Sequence, residues 1–343
     1  MYTVGHSRPI SVGVYIPEQK VTSREILQQI GSKDRFDIPY DWLERTTGIS
    51  ERRVAPESML PSDMAVSAAL EALETARLRP SDIDLIIYTG VDRDYIEPAT
   101  AHIVQDKLHA ENAVVFDLTN ACHGFMNGIH LADALIATGQ ARRALIVTGE
   151  QAFRATRKAI EILSNTTDRE QFINLAGGLT VGDSGAAMVL GPKLHPESGF
   201  MGFMLESRGQ HAGLCVCGTR GNEEIPLQTD MPGIVKTHIQ MHADMYDGFM
   251  HRLGWKPQEI NKFVHHQVGL KAFRMHARYA QIPLGLMSNT VSTMGNLVSA
   301  TIPVNLHKLA EKQELSDGDR VFISGSGSGL SISQAGLIWE KAA

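Results

Sequence analysis

One cysteine, Cys122, lies in this 343-residue sequence between a strand-like and a helix-like run, LTNACHGFMNGI. A thiol at the start of a helix meets unpaired backbone amides and the positive end of the helix dipole, and both favour the thiolate. Because the thiolate is the nucleophilic form, Cys122 is a candidate for covalent catalysis. A buried cysteine that fills space like a small hydrophobic residue is the alternative, and the local sequence does not decide between them.

Two adjacent histidines end the strand-like run of the segment FVHHQVGL. A buried strand favours β-branched or aromatic residues, so polar rings there need hydrogen-bond partners or a chemical role. We expect one of His265 and His266 to project from the strand end into a cleft. A hydrogen-bonded core histidine is the alternative.

Two glycine-containing segments follow in the second half of the chain. In TMGNLVSA, Asn296 comes after a glycine at an expected helix start, where a simple N-cap is the alternative role. The segment SGSGSGLS follows a strand and lacks the Lys-Ser/Thr pair of a P-loop. A turn whose backbone amides bind an oxyanion therefore fits this segment better than a phosphate site.

Other candidate groups give weaker signals. Glu97 precedes a proline in a loop after a buried strand, where most acids are simply solvated. Cys215 and Cys217 have no second cysteine pair, and His238 and His242 lack the glutamate of an HExxH motif. We therefore expect no metal site.

Strand-like and helix-like segments alternate through most of the chain, which predicts an α/β fold with a central sheet covered by helices. The buried strand candidates of the first half are DLIIYTG, AVVFDL and ALIVTG, and those of the second half are INKFVH and RVFIS. Asp84 and Cys122 are 38 positions apart, and Ile260 and Asn296 are 36 apart. This matching order and spacing predicts an internal duplication that brings the two catalytic segments together.

The predicted halves are residues 1–195, which carry the cysteine, and 196–343, which carry the histidine, the asparagine and the glycine-rich turn. Glu197–Met241 breaks the rhythm, is rich in glycine and polar residues, and is expected to be an insertion near the mouth of the site.

Composition excludes several classes of function. The sequence is 43% hydrophobic and 20% charged, which supports a large core, and its net charge of −6 argues against a nucleic-acid groove. We find no apolar run long enough to span a membrane, and no signal peptide at the N-terminus. Three cysteines do not make a disulfide framework, so we expect a cytoplasmic protein.

The order of these motifs resembles that of the thiolase-fold condensing enzymes, most closely the ketoacyl-ACP synthase III branch, over nearly the whole chain. The resemblance implies a duplicated five-layered α-β-α-β-α sandwich that forms a homodimer. It implies an acyltransferase with no cofactor, whose substrates are CoA or acyl-carrier thioesters. The matching segments are DWLERTTGISERR, FDLTNACHGF, VGDSGAAMVL, VHHQ, GNLVSATIP and GSGSGLS.

The family pattern also implies a role for each matching residue. Cys122 would be the acylated nucleophile, and His266, directly before the glutamine of the HQ pair, would be the catalytic histidine. Asn296 matches the catalytic asparagine, and the amides of Cys122 and Ser328 would form the oxyanion hole. His265 would be a neighbour of the site.

Carrier recognition is less well matched. Trp42 corresponds to a tryptophan that stacks on the adenine of CoA, and Lys271 stands where an arginine often contacts the carrier. Thr46 replaces a usual arginine, and Gly269 replaces a usual asparagine. The choice between CoA and acyl carrier protein stays open.

The segment VDRDYIEPATAHIV is most similar to the OleA-type enzymes of bacterial olefin biosynthesis, which join two fatty acyl-CoA chains head to head. In that group a glutamate at the position of Glu97 reaches into the site of the partner subunit and takes the α-proton of the second acyl chain. A malonyl donor forms its carbanion by losing CO₂, whereas a plain acyl donor must lose a C–H proton and needs a base. The resemblance therefore implies a non-decarboxylative Claisen condensation.

Three alternatives stay open at this point. The chain could be a decarboxylating synthase III or other acyltransferase, a ketosynthase that forms pyrones or cyclohexanediones, or a non-catalytic partner subunit. The sequence does not define acyl chain length or pathway.

Overall fold

Runs of buried apolar residues form two five-stranded sheets in the structure, a computed structural model that describes residues 1–220 and 223–340. The strands in these ranges are β1 Tyr2–Val4, β2 Ser7–Tyr15, β3 Lys20–Thr22, β4 Glu51–Arg53, β5 Leu85–Tyr88, β6 Val114–Asp117, β7 Ala144–Glu150, β8 Ser184–Pro192, β9 Gly199–Ser207, β10 Cys215–Arg220, β11 Glu223–Thr229, β12 Lys262–His265, β13 Arg320–Gly327 and β14 Ser331–Ile338.

Amphipathic and small-residue segments between the strands form the helices. Among the described residues, no helix is both long and apolar enough to cross a membrane. The helices are α1 Ser23–Ile30, α2 Ser32–Phe36, α3 Trp42–Thr47, α4 Pro61–Ala76, α5 Thr100–Leu108, α6 Gly124–Ala137, α7 Phe153–Leu163, α8 Arg169–Leu175, α9 Met231–Leu253, α10 Leu270–Ala280, α11 Val291–Met294 and α12 Thr301–Glu311.

Four strands of each sheet share one topology, with β2-β8-β7-β5 of the first sheet corresponding to β9-β14-β13-β12 of the second. The first has the strand order β2-β8-β7-β5-β6, and the second has the order β1-β9-β14-β13-β12. In the first sheet β5 is parallel to β7 and β7 is antiparallel to β8; in the second, β12 is parallel to β13 and β13 is antiparallel to β14. A parallel bridge from Phe263 to Met287 stands where β5 pairs with β6. This repeated arrangement is what the matching sequence rhythm predicts for a duplication.

Packing against the sheets arranges the helices in three layers. Helices α6 and α12 lie in one hydrophobic core with β7 of the first sheet and with β12 and β13 of the second. Helices α4 and α5 cover the other face of the first sheet, and α9 and α10 cover the other face of the second. The α-β-α-β-α layering predicted from the sequence is therefore present, with α6 and α12 buried between the sheets.

Two features depart from the sequence expectations. Glu197–Met241 is not simply an insertion, because it contains β9, which pairs with β14 inside the second sheet. The extra element is the hairpin β10–β11. Strand β1 begins the chain but pairs with β9 in the second sheet, so this pairing crosses the boundary between the predicted halves, 1–195 and 196–343. That division stays a prediction.

Close packing of α4 on the first sheet makes Gly149 sensitive to substitution. A Cβ atom at Gly149 would lie 1.9 Å from the carbonyl oxygen of Pro61, the first residue of α4, and this contact involves backbone that cannot move without shifting the helix. We expect Gly149→Ala to lower the free energy of unfolding by about 1–3 kcal/mol, the usual effect of overpacking, as measured by urea denaturation.

Gly248→Ala is the matched control for this experiment. Gly248 is exposed in α9, and a Cβ atom there meets no atom within 4 Å. Alanine has the higher helix propensity, so this variant should be unchanged or more stable, by up to about 1 kcal/mol. An unchanged urea midpoint for Gly149→Ala would contradict the described packing of α4.

Candidate active site

Cys122 lies in a tight turn between β6 and α6. Helix α6 begins at Gly124, and its N-cap residue is His123. The His123 ring donates from Nδ1 to Asn127 Oδ1 (3.0 Å), and its Nε2 accepts from the Ser333 hydroxyl (2.7 Å). These contacts tie the start of α6 to β14 of the second sheet. Ala121 has φ 47°, a left-handed conformation that is uncommon for a residue with a side chain. The fold therefore holds the sulfur at a strained turn directly before a helix.

His266 follows β12, and its backbone nitrogen donates to the carbonyl of Ser324 in β13 (3.0 Å). The adjacent His265 is completely buried, and its ring stacks on His276 with centroids 4.3 Å apart. His266 instead lines a cavity that also contains Cys122. Of the two histidines, the structure directs only His266 towards the cysteine.

Asn296 lies directly before a helical segment, since the short 3₁₀ helix Val298–Ala300 begins two residues later and continues into α12 at Thr301. Its backbone nitrogen donates to Thr180 O (2.9 Å), and Val298 N donates to its side-chain Oδ1 (3.0 Å). With Oδ1 engaged in this way, the amide Nδ2 is the group left to act as a donor. Gly295, at φ 76°, allows the tight approach to Thr180.

The glycine-rich segment brings Ser328 to the cysteine. A Cβ atom on Gly327 would lie 2.7 Å from His123 N and 3.0 Å from Asn120 O, so only glycine lets β13 approach this turn so closely. Ser328 follows immediately and lines the same cavity as Cys122. This placement is consistent with an oxyanion hole formed by the backbone amides of Cys122 and Ser328.

These residues surround one cavity of about 560 Å³, a volume typical of small-molecule sites. The hairpin β10–β11 lines one side of it. In the described part of the chain, no group of three or more His, Cys, Asp or Glu side chains is placed to hold a metal ion. Polar and ionisable residues that line the cavity are Asp92, Cys122, Arg154, Lys158, Thr180, Cys215, Cys217, Glu224, Thr229, His238, His266, Asn296 and Ser328.

Desolvation governs the ionisation of the central pair. Burial raises the pKa of the Cys122 thiol, Cys215 and Glu150 raise it further, and the cysteine's backbone amide opposes them. Burial lowers the pKa of His266 to about 3. Cys122 is partly exposed, and it lines the cavity. Both pKa shifts favour a neutral thiol and a neutral imidazole over the thiolate that the helix start alone suggested.

Sequence reasoning missed a buried carboxyl pair beside the cavity. Burial and the neighbouring Asp92 raise the pKa of Glu150, which ends β7 and is fully buried, to about 8. Burial also raises the pKa of Asp92, which lines the cavity. An acid at the end of the otherwise apolar strand ALIVTGE was the available signal.

Three residues predicted for the site do not line this cavity in the described chain. Glu97 is exposed in the loop between β5 and α5. Trp42 packs edge-on against Phe172 with ring centroids 5.5 Å apart, and Lys271 is exposed on α10. The roles predicted for them, as a base and as carrier contacts, stay predictions.

Comparisons with known proteins agree with this geometry. The family model for 3-oxoacyl-[acyl-carrier-protein] synthase III matches residues 116–209, and the model for its C-terminal region matches residues 250–339. An acyl-CoA:acyl-CoA alkyltransferase of Xanthomonas campestris pv. campestris is 34% identical over 328 residues, which are 93% of this chain and 94% of that relative. A beta-ketoacyl-[acyl-carrier-protein] synthase III of Laribacter hongkongensis is 27% identical and covers 96% of this chain and 98% of its own.

Solved structures give the same result. A crystal structure of a variant of Xanthomonas campestris OleA superposes with a TM-score of 0.91 at 31% identity, over 98% of both chains. A structure of that protein with bound lauric acid and lauroyl-CoA has the same TM-score and identity and covers 98% of this chain and 100% of its own. The fold class and the family resemblance predicted from the sequence are confirmed.

The raised pKa of Cys122 predicts how the thiol reacts in the free protein. We expect the rate of its alkylation by iodoacetamide to rise about tenfold per pH unit up to at least pH 9, because only the small thiolate fraction reacts. Quantification of the modified Cys122 peptide by mass spectrometry measures this rate, and Cys122→Ser gives the background from the other thiols. A plateau reached below pH 7 would show that the helix start lowers the pKa of Cys122 more than burial raises it.

Proposed function

Because this chain belongs to the 3-oxoacyl-[acyl-carrier-protein] synthase III family of condensing acyltransferases, we propose that it joins two fatty acyl thioesters in a Claisen condensation without decarboxylation. The observation that carries the proposal is that Cys122, His266 and Asn296 line one cavity. Support for acyl-CoA as substrate comes from the 34% identical acyl-CoA:acyl-CoA alkyltransferase and from the similar OleA structure that holds lauroyl-CoA.

The first half-reaction acylates the cysteine. Cys122 Sγ attacks the thioester carbonyl while the neutral His266 accepts the thiol proton. Because the proton is removed during the attack, the reaction does not require a thiolate in the resting site. The amides of Cys122 and Ser328 bind the oxyanion, and one such donor typically stabilises a transition state by about 3 kcal/mol. The C–S bond to the carrier then breaks, and the carrier thiolate leaves with the proton from His266.

The second half-reaction forms the carbon–carbon bond. His266 and Asn296 Nδ2 hold the carbonyl oxygen of the second thioester, which stabilises the enolate formed when its α-proton is removed. The α-carbon then attacks the acyl group on Cys122, and the Cys122 thiolate leaves. The product is a β-ketoacyl thioester, and the removed proton must go to a base.

We assign the base to Glu97 of a second copy of this chain. The loop that carries Glu97 is anchored where Ser62 N and Oγ donate to the Asp94 carboxylate (2.9 and 2.6 Å). Beyond this anchor, Tyr95 is 58% and Ile96 is 94% exposed. A fixed loop that presents apolar residues to solvent is typical of a protein–protein interface. The exposed position of Glu97 in its own chain is consistent with action in the site of a partner.

Cys122, Cys215 and Cys217 are all free thiols, which fits a reducing compartment, so the proposal locates the reaction in the cytoplasm. Trp42 and Lys271 are proposed to contact the carrier at the entrance. They lie on neighbouring elements, since Gly48, which ends α3, is packed against Leu270, which begins α10.

A decarboxylating synthase that uses a malonyl donor is the second candidate, and the matched synthase III family models favour it. One incubation separates the two reactions. We expect the purified protein, supplied with a single saturated acyl-CoA and no malonyl donor, to release CoA and form a condensed product detected by mass spectrometry. Product only after addition of a malonyl thioester would favour the decarboxylating reaction. The same mass spectra would identify pyrones or cyclohexanediones.

Replacement of the proposed base should separate the two half-reactions. We expect Glu97→Gln to reduce condensation by about 100-fold or more, the usual effect of removing a general base, while Cys122 is still acylated. Intact-protein mass measures the acyl adduct and product analysis measures condensation. Glu111→Gln, a change of an equally exposed glutamate, is the control. Full turnover by Glu97→Gln would reject this base.

A mixture of two inactive variants tests whether Glu97 acts across a dimer. Mixed dimers of Cys122→Ser and Glu97→Gln chains contain one site with an intact cysteine and a glutamate from the other chain. Condensation should return on mixing if Glu97 reaches the partner's site, because that site then has both groups. Activity that stays absent in verified mixed dimers would locate the base within the same chain.

A further inference from the structure

Glu150 is a buried acid that the proposed mechanism does not use. It is the last residue of β7, and its side chain is completely buried between the two halves of the fold. An acid without solvent must be hydrogen-bonded to be tolerated there. The identity of its partners indicates its role.

On one side the Glu150 carboxyl group holds the loop that follows Asn296. Ser299 donates to Oε1 through its backbone nitrogen (3.3 Å) and through a short hydrogen bond from its hydroxyl. Thr148 Oγ1 donates to the same oxygen (3.2 Å) and lies 2.7 Å from Ser299 Oγ. Ser299 follows Val298, whose φ of 52° is strained for a β-branched residue and whose amide is bonded to Asn296. Glu150 thus helps to hold the strained turn that orients the Asn296 side chain.

On the other side the same carboxyl group holds the start of the loop that leads to Glu97. Val91 N donates to both carboxyl oxygens (3.2 Å each), and Asp92 N lies 3.4 Å from Oε2. Both Val91 and Asp92 line the cavity. The hydroxyl of Tyr88 also donates to the carbonyl of Asp92. One buried carboxyl group therefore joins the two loops whose residues act on the second thioester.

We propose that Glu150 is a positioning residue for the condensation half-reaction, because its carboxyl group ties the Asn296 turn of the second half to the loop that carries Asp92 and Glu97. This inference rests on the proposed function. Acylation depends less on these loops than condensation does: the turn after Asn296 reaches the acylation residues only through Val298, which contacts Cys122 and His266. Loss of Glu150 should therefore reduce condensation more than acylation.

Glutamine cannot reproduce this arrangement. Backbone N–H groups of Val91, Asp92 and Ser299 donate to the two carboxyl oxygens and can only donate, whereas the hydroxyls of Thr148 and Ser299 can donate or accept. An amide NH₂ in place of Oε2 would face the N–H groups of Val91 and Asp92, and in the flipped orientation it would face the N–H group of Ser299. Glu150→Gln is therefore nearly isosteric but breaks one of the two connections.

Glu150 also acts on the nucleophile through its charge. The titratable groups that face it are Asp92, Tyr88 and Cys122, with Arg154 facing Asp92 from α7. Because burial raises the pKa of Glu150 to about 8, this charge is present mainly above that pH, where the carboxylate disfavours the thiolate and raises the pKa of Cys122. Removal of the carboxylate should therefore increase the reactive thiolate fraction above about pH 8.

The experiment compares Glu150→Gln and Ser299→Ala with Glu71→Gln as the matched control. Glu71 also joins the two halves, since Val14 N donates to its Oε2 (2.5 Å) and His307 Nε2 lies 3.1 Å from its Oε1, but it does not line the cavity. Acylation of Cys122 is followed by intact-protein mass with one acyl-CoA, and condensation is followed by product analysis.

We expect Glu150→Gln to reduce condensation at least tenfold, with acylation within about threefold of the unmodified protein and the pH profile of Cys122 alkylation shifted to lower pH. Ser299→Ala should lower condensation less and leave that pH profile in place, because the carboxylate remains. Glu71→Gln should change neither half-reaction. The pH shift is a result that a purely structural role would not produce.

The inference is overturned if Glu150→Gln condenses acyl-CoA as well as Glu71→Gln does, or if it loses acylation and condensation to the same extent. If Glu150→Gln folds poorly, Ser299→Ala provides the test. Equal losses of acylation and condensation in Ser299→Ala would also overturn the inference. Failure of the proposed function looks different, since the unmodified protein itself would then give no condensation from acyl-CoA alone.

Discussion

Removal of water from the space between two packed sheets is the constraint on which the rest of this structure depends. Helices α6 and α12 are buried together between the sheets, which forces the loops before them to meet in the interior. Each ionisable group at that meeting point is shifted towards its neutral form: the pKa of the Cys122 thiol and that of the Glu150 carboxyl are raised, and that of the His266 imidazole is lowered. The shifts favour neutral forms of these three groups at rest, so charge develops on Cys122 and His266 as the proposed reaction proceeds.

If Cys122 and His266 are neutral at rest, the negative charge that forms during the reaction must be stabilised by hydrogen-bond donors such as the backbone amides of Cys122 and Ser328. In a water-poor cavity an oxyanion or enolate finds few competing charges, and fixed N–H groups stabilise it more strongly than solvent would. The proposed reaction uses one cavity for both half-reactions, with the first centred on Cys122 and the second on Asn296. The groups for these steps come from different halves of the chain, so the halves must be held in a defined relation.

Hydrogen bonds between the two halves hold them in this relation, and several of these bonds involve residues with strained backbone or next to a glycine. The Asn296 turn pairs with Val181 of the first half, and Glu150 reaches from β7 to Ser299. His123 at the start of α6 is bonded to Ser333 of β14. These bonds hold φ angles near +50° at Ala121 and Val298, values that such residues adopt only when their surroundings impose them. Strain at the two catalytic turns is thus offset by contacts between the halves.

Much of this arrangement could be predicted from the sequence, because alternation, spacing and glycine positions are local properties of the chain. Cys122 before a helix, the HQ pair after a strand, the glycine-rich end of β13 and the repeated strand order were all readable in that way. Errors arose where local signals were ambiguous. The glycines of β9 resembled loop sequence, and the helical segment expected at Asn296 begins two residues later, at Val298.

Tertiary structure alone decided the chemistry of the site. Local sequence suggested a thiolate at Cys122, but burial is a property of the whole fold and reverses the preference. Local sequence did not distinguish His265 from His266 by itself, whereas packing places one in the core and the other at the cavity. The contact between Glu150 and Ser299 could not be predicted from the sequence, because these residues are 149 positions apart and become neighbours only when the halves fold together. The spacing of residues along the chain predicts the helices and strands. Only the packing of these elements determines how far each ionisable group lies from water.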